Sequence, residues 1–407
     1  MRILRLCSVF EPPDASISGQ AASYDPIGGM QTHTAELTRA LDEHGHQQVV
    51  VTAYRPGAPS RSRLGRHTTL LRLGLPVTYM RQCYALPAAR AVLSAAAGAD
   101  VLHAHVGEDL AVIPIAMAAA RRHRVSLVLT LHSSLAHTLR VVDARSFTLK
   151  VLGGLLEHRG TCKAAAMITL TPRLADLLVD HGVPGDRVHV IPSGVSPSVF
   201  AAVDGDPLAG IPRPRVVYVG RLHRQKGVDV LVRAAVLLRR VNAHVVLVGD
   251  GPQRAQLERQ ASRLGVADRV HILGFVPHSL VPSVLRSADL LVLPSRYEEL
   301  GTVLVEAMWA GTPIVASNTG GIPHLVADGV HGLLVPPEDP SALAQAAARV
   351  LANRSLAAGL VEHGIRRAHG FSWDHLAAQV SDVYERVIME DVLVLRGRLV
   401  HRSLASA

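Results

Sequence analysis

Cysteine, aromatic side chains and lysine are scarce in this sequence. Of 407 residues only three are cysteine, and Phe, Tyr and Trp together make 3%. Cys7, Cys83 and Cys162 are scattered, without disulfide or metal-finger spacing, which fits a reducing, cytoplasmic setting. The net charge is +9, a balance that suits nucleic acid, a membrane surface or phosphate ligands. Few aromatics and no basic run longer than three residues speak against nucleic acid. No apolar run approaches the ~20 residues of a membrane span. The longest, Leu110–Ala120, reads as a buried helix. Met1–Phe10 is too short for a signal peptide and runs straight into Glu11-Pro12-Pro13.

What is present is 48% apolar and long enough for two or three domains with sizeable cores. The first half alternates strands and helices. Met1–Val9 reads as a strand, Glu11–Ile27 as a polar loop, and Gly28-Gly29-Met30 opens a helix over Gln31–His44. A glycine pair there lets backbone amides approach an anion, or is ordinary turn chemistry; a third glycine, needed for a dinucleotide site, is missing. Arg55–Leu73 reads as a basic, solvated loop or a lid over an anionic substrate. Strand Asp100–His105 ends in two histidines on one face, but no third ligand follows at metal spacing. Gly107-Glu108-Asp109 then starts a helix with acids at its positive end. Val125–Leu131 is a strand with His132 at its C-terminal end, the edge where open parallel sheets bind ligands.

Ala201–Pro214, rich in Pro, Gly and Asp, reads as a linker, so that Asp204-Gly205-Asp206 is a turn and no metal motif. A second alternating run follows, with strands at Val216–Val219, Val245–Val248, Val270–Leu273, Leu290–Leu293, Ile314–Ala316 and Gly332–Val335. Ser341–Leu360 reads as helical, a further helix runs from Trp373 to about Ile388, and Met389–Ala407 reads as an irregular tail. The expectation is α/β: two doubly wound, Rossmann-like parallel-sheet domains facing a cleft, residues 1–197 and 198–371, followed by 372–407.

Two places carry the chemistry. After the first strand of the second half comes Gly220-Arg221-Leu222-His223-Arg224-Gln225-Lys226-Gly227. Arg221 and Lys226 at a strand's end can converge on a diphosphate, or can be a solvated basic turn. Only three of the 42 basic residues are lysine, so a lysine here is informative. Further on, Leu290–Leu293 is followed by the loop Ser295–Leu300, a helix over Gly301–Ala310 and a glycine stop at Gly311. Glu298 precedes the helix and Glu306 lies inside it, about 10 Å apart along the axis. Between them the amides of Gly301, Thr302 and Val303 make an anion site at the helix start. A sugar, a phosphate and a ribose in series suit that order, although two glutamates eight apart are equally ordinary solvated acids.

The string Y-E-E-L-G-T-V-L-V-E-A with the downstream G-T-P-I-V-A-S and G-G-I-P resembles the Glu-x7-Glu signature of retaining nucleotide-sugar glycosyltransferases of family 4, which have the GT-B fold. The resemblance implies that Glu298 touches the transferred sugar and Glu306 holds the ribose hydroxyls. The family's usual Pro-Phe after the first Glu is here Glu299-Leu300. The basic string resembles the family's G-R-L-x-x-x-K-G diphosphate loop, and Gly274-Phe275-Val276 its base-binding segment. His132 matches a histidine facing the sugar's reacting end, and Gly29 adds a donor contact. The final helix, in the resemblance, crosses back onto the first domain. Retention, metal-independence and a nucleotide-sugar donor such as UDP-N-acetylglucosamine or UDP-glucose are implied, with no cofactor.

M-R-I-L-R-L and Y-D-P-I-G-G-M-Q further resemble glycosyltransferases that attach N-acetylglucosamine or glucose to 2-deoxystreptamine in aminoglycoside antibiotic biosynthesis. A cationic acceptor needs acids; Glu11, Asp14, Asp25, Glu108 and Asp109 are candidates, with Met30 beside them, or are equally solvated loop acids. Inositol phosphate or lipid acceptors remain alternatives, although no amphipathic basic helix stands out in the first half. From other classes, a UDP-sugar 2-epimerase or a non-catalytic nucleotide-sugar-binding protein shares the two-domain shape. Small-molecule partners are expected, and neither nucleic acid nor a membrane span.

Overall fold

The computed structural model describes residues 1–10, 29–54, 58–75, 83–107, 109–134, 144–201 and 205–405. Glu11, Asp14, Asp25 and Glu108 lie outside these residues, as do Gly28 and Asp204. The chain forms two units. The first takes the described residues within 1–10, 30–192 and 374–405; the second takes Gly29 and those within 193–373.

The first unit is built on strands β1 (Arg2–Cys7), β2 (Gln47–Ala53), β3 (Arg61–Leu64), β4 (Thr68–Leu73), β5 (Val101–Val106), β6 (Ser126–Leu131), β7 (Ala166–Thr169) and β8 (Val188–Val190). Their order across the sheet is β3-β4-β2-β1-β5-β6-β7-β8. All pairs are parallel except β3 with β4. Central strands of such a sheet are covered on both faces, which is why β5 and β6 are buried at every position and read as near-continuous apolar runs. Leu4, Leu6, Leu102, Ala104, Leu129 and Leu131 pack with Val112, Ala116 and Ala119 of the helix Val112–His123 into one core. That helix holds the apolar run expected to be buried. It ends where Arg124 turns left-handed (φ 54°).

Two expectations for this unit are corrected. Arg55–Leu73 is no solvated loop over its described part: β3 and β4 form an antiparallel hairpin, and β4 pairs with β2. The alternation of Thr68, Leu70 and Arg72 inward explains it, with the buried Arg72 guanidinium satisfied by Ser62 Oγ (2.8 Å) and the Pro59 carbonyl. The C-terminal residues do not become irregular at Met389; one helix runs Trp373–Ala405. The sequence Glu390–Arg398 holds no proline and mostly strong helix formers, so nothing stops the helix there.

The second unit carries β9 (Arg215–Val219), β10 (His244–Val248), β11 (Val270–Gly274), β12 (Leu290–Leu293), β13 (Ile314–Ser317) and β14 (Leu333–Val335). They lie in the order β11-β10-β9-β12-β13-β14, all parallel. The chain reverses direction across the sheet between β9 and β12, the switch point where loops at the carboxyl ends of the strands part and leave room for a ligand. The expected helix Ser341–Leu360 is two helices, Pro340–Ala352 and Arg354–Ala368. Asn353 breaks it, because its side chain accepts from the Leu356 amide and caps the second helix. Asp206 turns the preceding segment by accepting from the Leu208 amide and pairs with the buried Arg215 at 2.7 Å, an arrangement of the structural kind expected there.

Candidate functional site

In the second unit the switch point gathers the two chemically informative strings. β9 ends at Gly220, and the basic loop continues through a short turn of helix at Arg224–Lys226. At Gly227 (φ 62°) a Cβ would lie 2.0 Å from the Pro294 carbonyl oxygen, so only glycine lets this loop press against the loop that follows β12. The two loops are then stitched by the Arg296 amide donating to the Gln225 carbonyl at 2.8 Å. Arg296 clamps them further. It donates to both carboxylate oxygens of Asp229 (2.7 and 2.8 Å), to the Arg224 carbonyl and to Glu338. Burial, the largest single influence, would raise the Asp229 carboxyl, but the Arg296 hydrogen bonds and the Arg296 and Arg233 charges together outweigh it and hold it below its ordinary value. Bidentate pairing of this kind fixes geometry as well as charge.

Glu298 emerges from this clamp nearly buried, 9% exposed. Lys226 Nζ lies 2.6 Å from its Oε2, and Ser295 Oγ donates to the same oxygen at 3.2 Å. Its backbone is held as well: the Gly321 amide donates to the Glu298 carbonyl at 2.9 Å. A Cβ at Gly320 (φ 56°) would sit 1.9 Å from that same oxygen. The glycine pair after β13 is therefore a sleeve around the Glu298 backbone.

The helix that follows, Thr302–Ala310, starts at Gly301 (φ 78°) with no side-chain cap. Its first-turn amides, Thr302 and Val303 among them, have no preceding helical carbonyl to bind. Glu306 is buried on the same helix, and its Oε1 lies 2.8 Å from His278 Nε2. His278 stands just past Gly274-Phe275-Val276, so the loop after β11 reaches this helix. Gly274 itself (φ 77°) accepts from the Gly249 amide at 2.8 Å, joining the loops after β10 and β11. The Arg221 carbonyl accepts from the buried Tyr218 hydroxyl at 2.8 Å, which fixes the backbone of the basic loop. The structure thus brings Lys226, Glu298, Gly301 and the start of the helix together, and joins Glu306 to the base-side loop. Ser295, Arg296, Asp229 and His278 carry parts of this site that the sequence patterns did not single out.

In the first unit His132 follows β6, its amide donating to the Val106 carbonyl at 2.9 Å. It is one of four buried imidazoles. His103 and His105 come from β5, and His33 from the helix Gly29–Glu43. His103 and His105 do share a face, with ring centroids 4.3 Å apart. Where the sequence showed no third partner by spacing, the fold supplies two: nitrogens of His33, His105 and His132 lie within 4.8 Å of one another. His103 is held on both sides, by Tyr384 Oη (2.5 Å) from the C-terminal helix and by Thr130 Oγ1 (2.7 Å). Arg5 of β1 is buried among them, hydrogen-bonded to Thr38 Oγ1 and, at 2.5 Å, to His105 Nε2. Burial and then the Arg5 charge push His132 down to about 3, and burial drives the other three well below their ordinary value. Asp109 is also buried. One oxygen accepts from the Ala111 amide at 2.8 Å; the other, Oδ2, has no hydrogen-bond partner among the described residues. Met30 lies against Gly107, where a Cβ would meet its sulfur at 3.0 Å.

Known proteins match most of this chain. Residues 209–367 match the family described as Glycosyl transferases group 1, and residues 27–199 match Glycosyltransferase Family 4. A 2-deoxystreptamine N-acetyl-D-glucosaminyltransferase of Streptomyces fradiae is 32% identical over 85% of this chain and 87% of its own. A phosphatidyl-myo-inositol mannosyltransferase of Mycolicibacterium smegmatis is 31% identical over 90% of this chain and 92% of its own. Among solved structures, a sucrose-phosphate synthase of Thermosynechococcus elongatus superposes with a TM-score of 0.78 at 26% identity, over 96% of this chain and 100% of that one. The chain belongs to the family-4 glycosyltransferases and has their GT-B architecture of two parallel-sheet α/β domains.

Proposed function

We propose that this glycosyltransferase moves N-acetylglucosamine or glucose from a UDP-sugar to 2-deoxystreptamine, with retention of anomeric configuration and without a metal. The observation that carries the donor half is the Lys226–Glu298 pair, set between a basic loop and an uncapped helix start. A diphosphate entering there competes with Glu298 for Lys226 and meets Arg221 and the amides of Thr302 and Val303. Glu298, released, accepts from a sugar hydroxyl. Glu306, at the far side beside His278, accepts from the ribose, and backbone groups of Gly274–Val276 pair with the base. In the transfer the bond from the anomeric carbon to the diphosphate oxygen breaks while the bond to the acceptor oxygen forms on the same face. The acceptor's hydroxyl proton goes to the departing phosphate oxygen, and the cations stabilise the charge that develops on it.

For the acceptor, the support is Asp109: a buried carboxylate oxygen without a partner among the described residues suits an ammonium group. A second reading, a lipid-linked acceptor, is favoured by the helix Ala144–Lys163, which exposes Phe147, Val151, Leu152 and Leu155. The test is incubation with each UDP-sugar and either 2-deoxystreptamine or phosphatidylinositol vesicles. Mass spectrometry reads the product and NMR its anomeric configuration. Transfer to the aminocyclitol with an α-linkage from an α-donor is expected. An inverted product refutes the same-face displacement, and transfer to vesicles alone refutes the acceptor.

A further inference from the structure

The four-histidine cluster of the first unit contains a buried cation whose role the transfer reaction does not by itself explain. Arg5 is 1% exposed and, among the described residues, has no ion pair with a carboxylate. Its Nε has no hydrogen-bond partner among the described residues. A charge buried this way is costly unless the surroundings use it. What it faces is an acceptor that must stay neutral: the Arg5 guanidinium nitrogen lies 2.5 Å from His105 Nε2.

The donor-only chemistry of arginine settles the protons in turn. A guanidinium donates and cannot accept, so His105 Nε2 carries a lone pair. A neutral imidazole has one N–H, which must then be on Nδ1. His105 Nδ1 lies 3.1 Å from His132 Nε2, so that nitrogen accepts. The single proton of neutral His132 is therefore on Nδ1. The groups that face the pair are Arg5 from β1, His33 from the helix Gly29–Glu43 and His103 from β5. They offer only positive charge or further neutral rings.

We propose that Arg5, acting through His105, is a positioning residue that fixes His132 as the Nδ1–H tautomer. This rests on the reading that His132 faces the transferred sugar. A ring so fixed has its Nε2 lone pair occupied and presents only a hydrogen-bond donor to substrate. It polarises or orients an oxygen of the sugar and does not take the acceptor's proton, which leaves the departing phosphate oxygen as the base.

The same cluster has the count of a three-histidine metal site, and Arg5 decides between the two. Ligation through His105 Nδ1 would need that nitrogen's lone pair and put the proton on Nε2, pointing at a guanidinium N–H. Metal-bound histidines give their second N–H to an acceptor, and here that place is taken by a cation.

The test uses full-length protein labelled with ¹⁵N-histidine and long-range proton–nitrogen correlation spectra. His132 signals are identified by their loss in His132→Gln. The expected spectrum shows His132 with a bare Nε2 and a protonated Nδ1. In Arg5→Met the two rings are released: His105 gains Nε2–H, His132 becomes Nε2–H, and kcat falls on the order of 10- to 100-fold, with the donor KM changing less. Arg5→Lys, still a donor, keeps the wild-type tautomer and restores most of the turnover. A wild-type His132 carrying Nε2–H overturns the relay, and needs no variant to fold. So does stoichiometric zinc held by wild type and released in His105→Gln. A correct tautomer with undiminished turnover in His132→Gln overturns instead the placement of His132 at the sugar.

Discussion

Acid should unfold the first unit well before it protonates any carboxylate that matters. The perturbation is a shift from pH 7.5 to 5.5. His132 is held near 3 in the folded chain by burial and by Arg5, against about 6.5 for an unfolded histidine. The unfolded chain therefore binds the proton first, so stability rises with pH, is present above about 6.5 and is lost as pH falls toward 3. Linkage gives a loss of about 1.4 kcal/mol for this one imidazole between the two pH values. His33, His103 and His105, pushed the same way, bring the loss to about 5 kcal/mol if each stays neutral and independent. Asp42 and Asp100 in the same unit are lowered from the ordinary carboxylate range and act only below it. Both tryptophans lie in the second unit, so intrinsic fluorescence would miss the event. Hydrogen exchange of β5 and β6 amides by mass spectrometry, corrected for intrinsic rates, reads it. Protection that drops by less than about 1.4 kcal/mol over this range would refute the buried neutral cluster.

Other perturbations act on the second unit. Gly320→Ala drives a Cβ into the Glu298 carbonyl oxygen at a left-handed backbone position; a loss of at least ~1 kcal/mol of stability and a weakened UDP complex are expected by thermal shift. Asp229→Ala removes the bidentate partner of Arg296 between two loops; it should cost roughly 1–3 kcal/mol and raise the KM for donor, whereas Glu338→Ala, removing a more exposed partner, should change little. Asn353→Ala removes a helix cap and should cost about 1 kcal/mol in urea titration without touching donor affinity.

The parts of this molecule visible in its sequence are those written in local patterns. The six strands of the second unit are short apolar runs closed by Gly, Pro or Asn, and each forms close to where it reads. The helix Thr302–Ala310 is announced by glycines at both ends, and Glu306 follows from it by spacing. The hairpin β3–β4 is hidden because Arg61 and Arg63 take the exposed positions of β3, and a charged residue, Arg72, stands inward in β4 beside Thr68 and Leu70. The break at Asn353 is a cap inside an alanine-rich run, a single side-chain hydrogen bond that periodicity does not register. The joining of His33 and His132 to the His103–His105 pair, and His278, were out of reach for a different reason. Their partners lie 27 to 281 positions away, and tertiary pairing of that range leaves no local trace. One hint existed: Arg5 is a charge in the middle of the apolar strand β1, where, unlike Arg2 at its exposed start, it has to be satisfied by something.

The central claim is that a nucleoside diphosphate is held by Lys226 and by Glu306 on opposite sides of one helix start. Calorimetric titration of UDP into wild type, Lys226→Ala and Glu306→Ala tests it without reference to sugar or acceptor. Removing either charge-assisted contact should weaken binding by roughly 1.5–3 kcal/mol, more than tenfold. Wild-type affinity in both variants, each still folded, would contradict it.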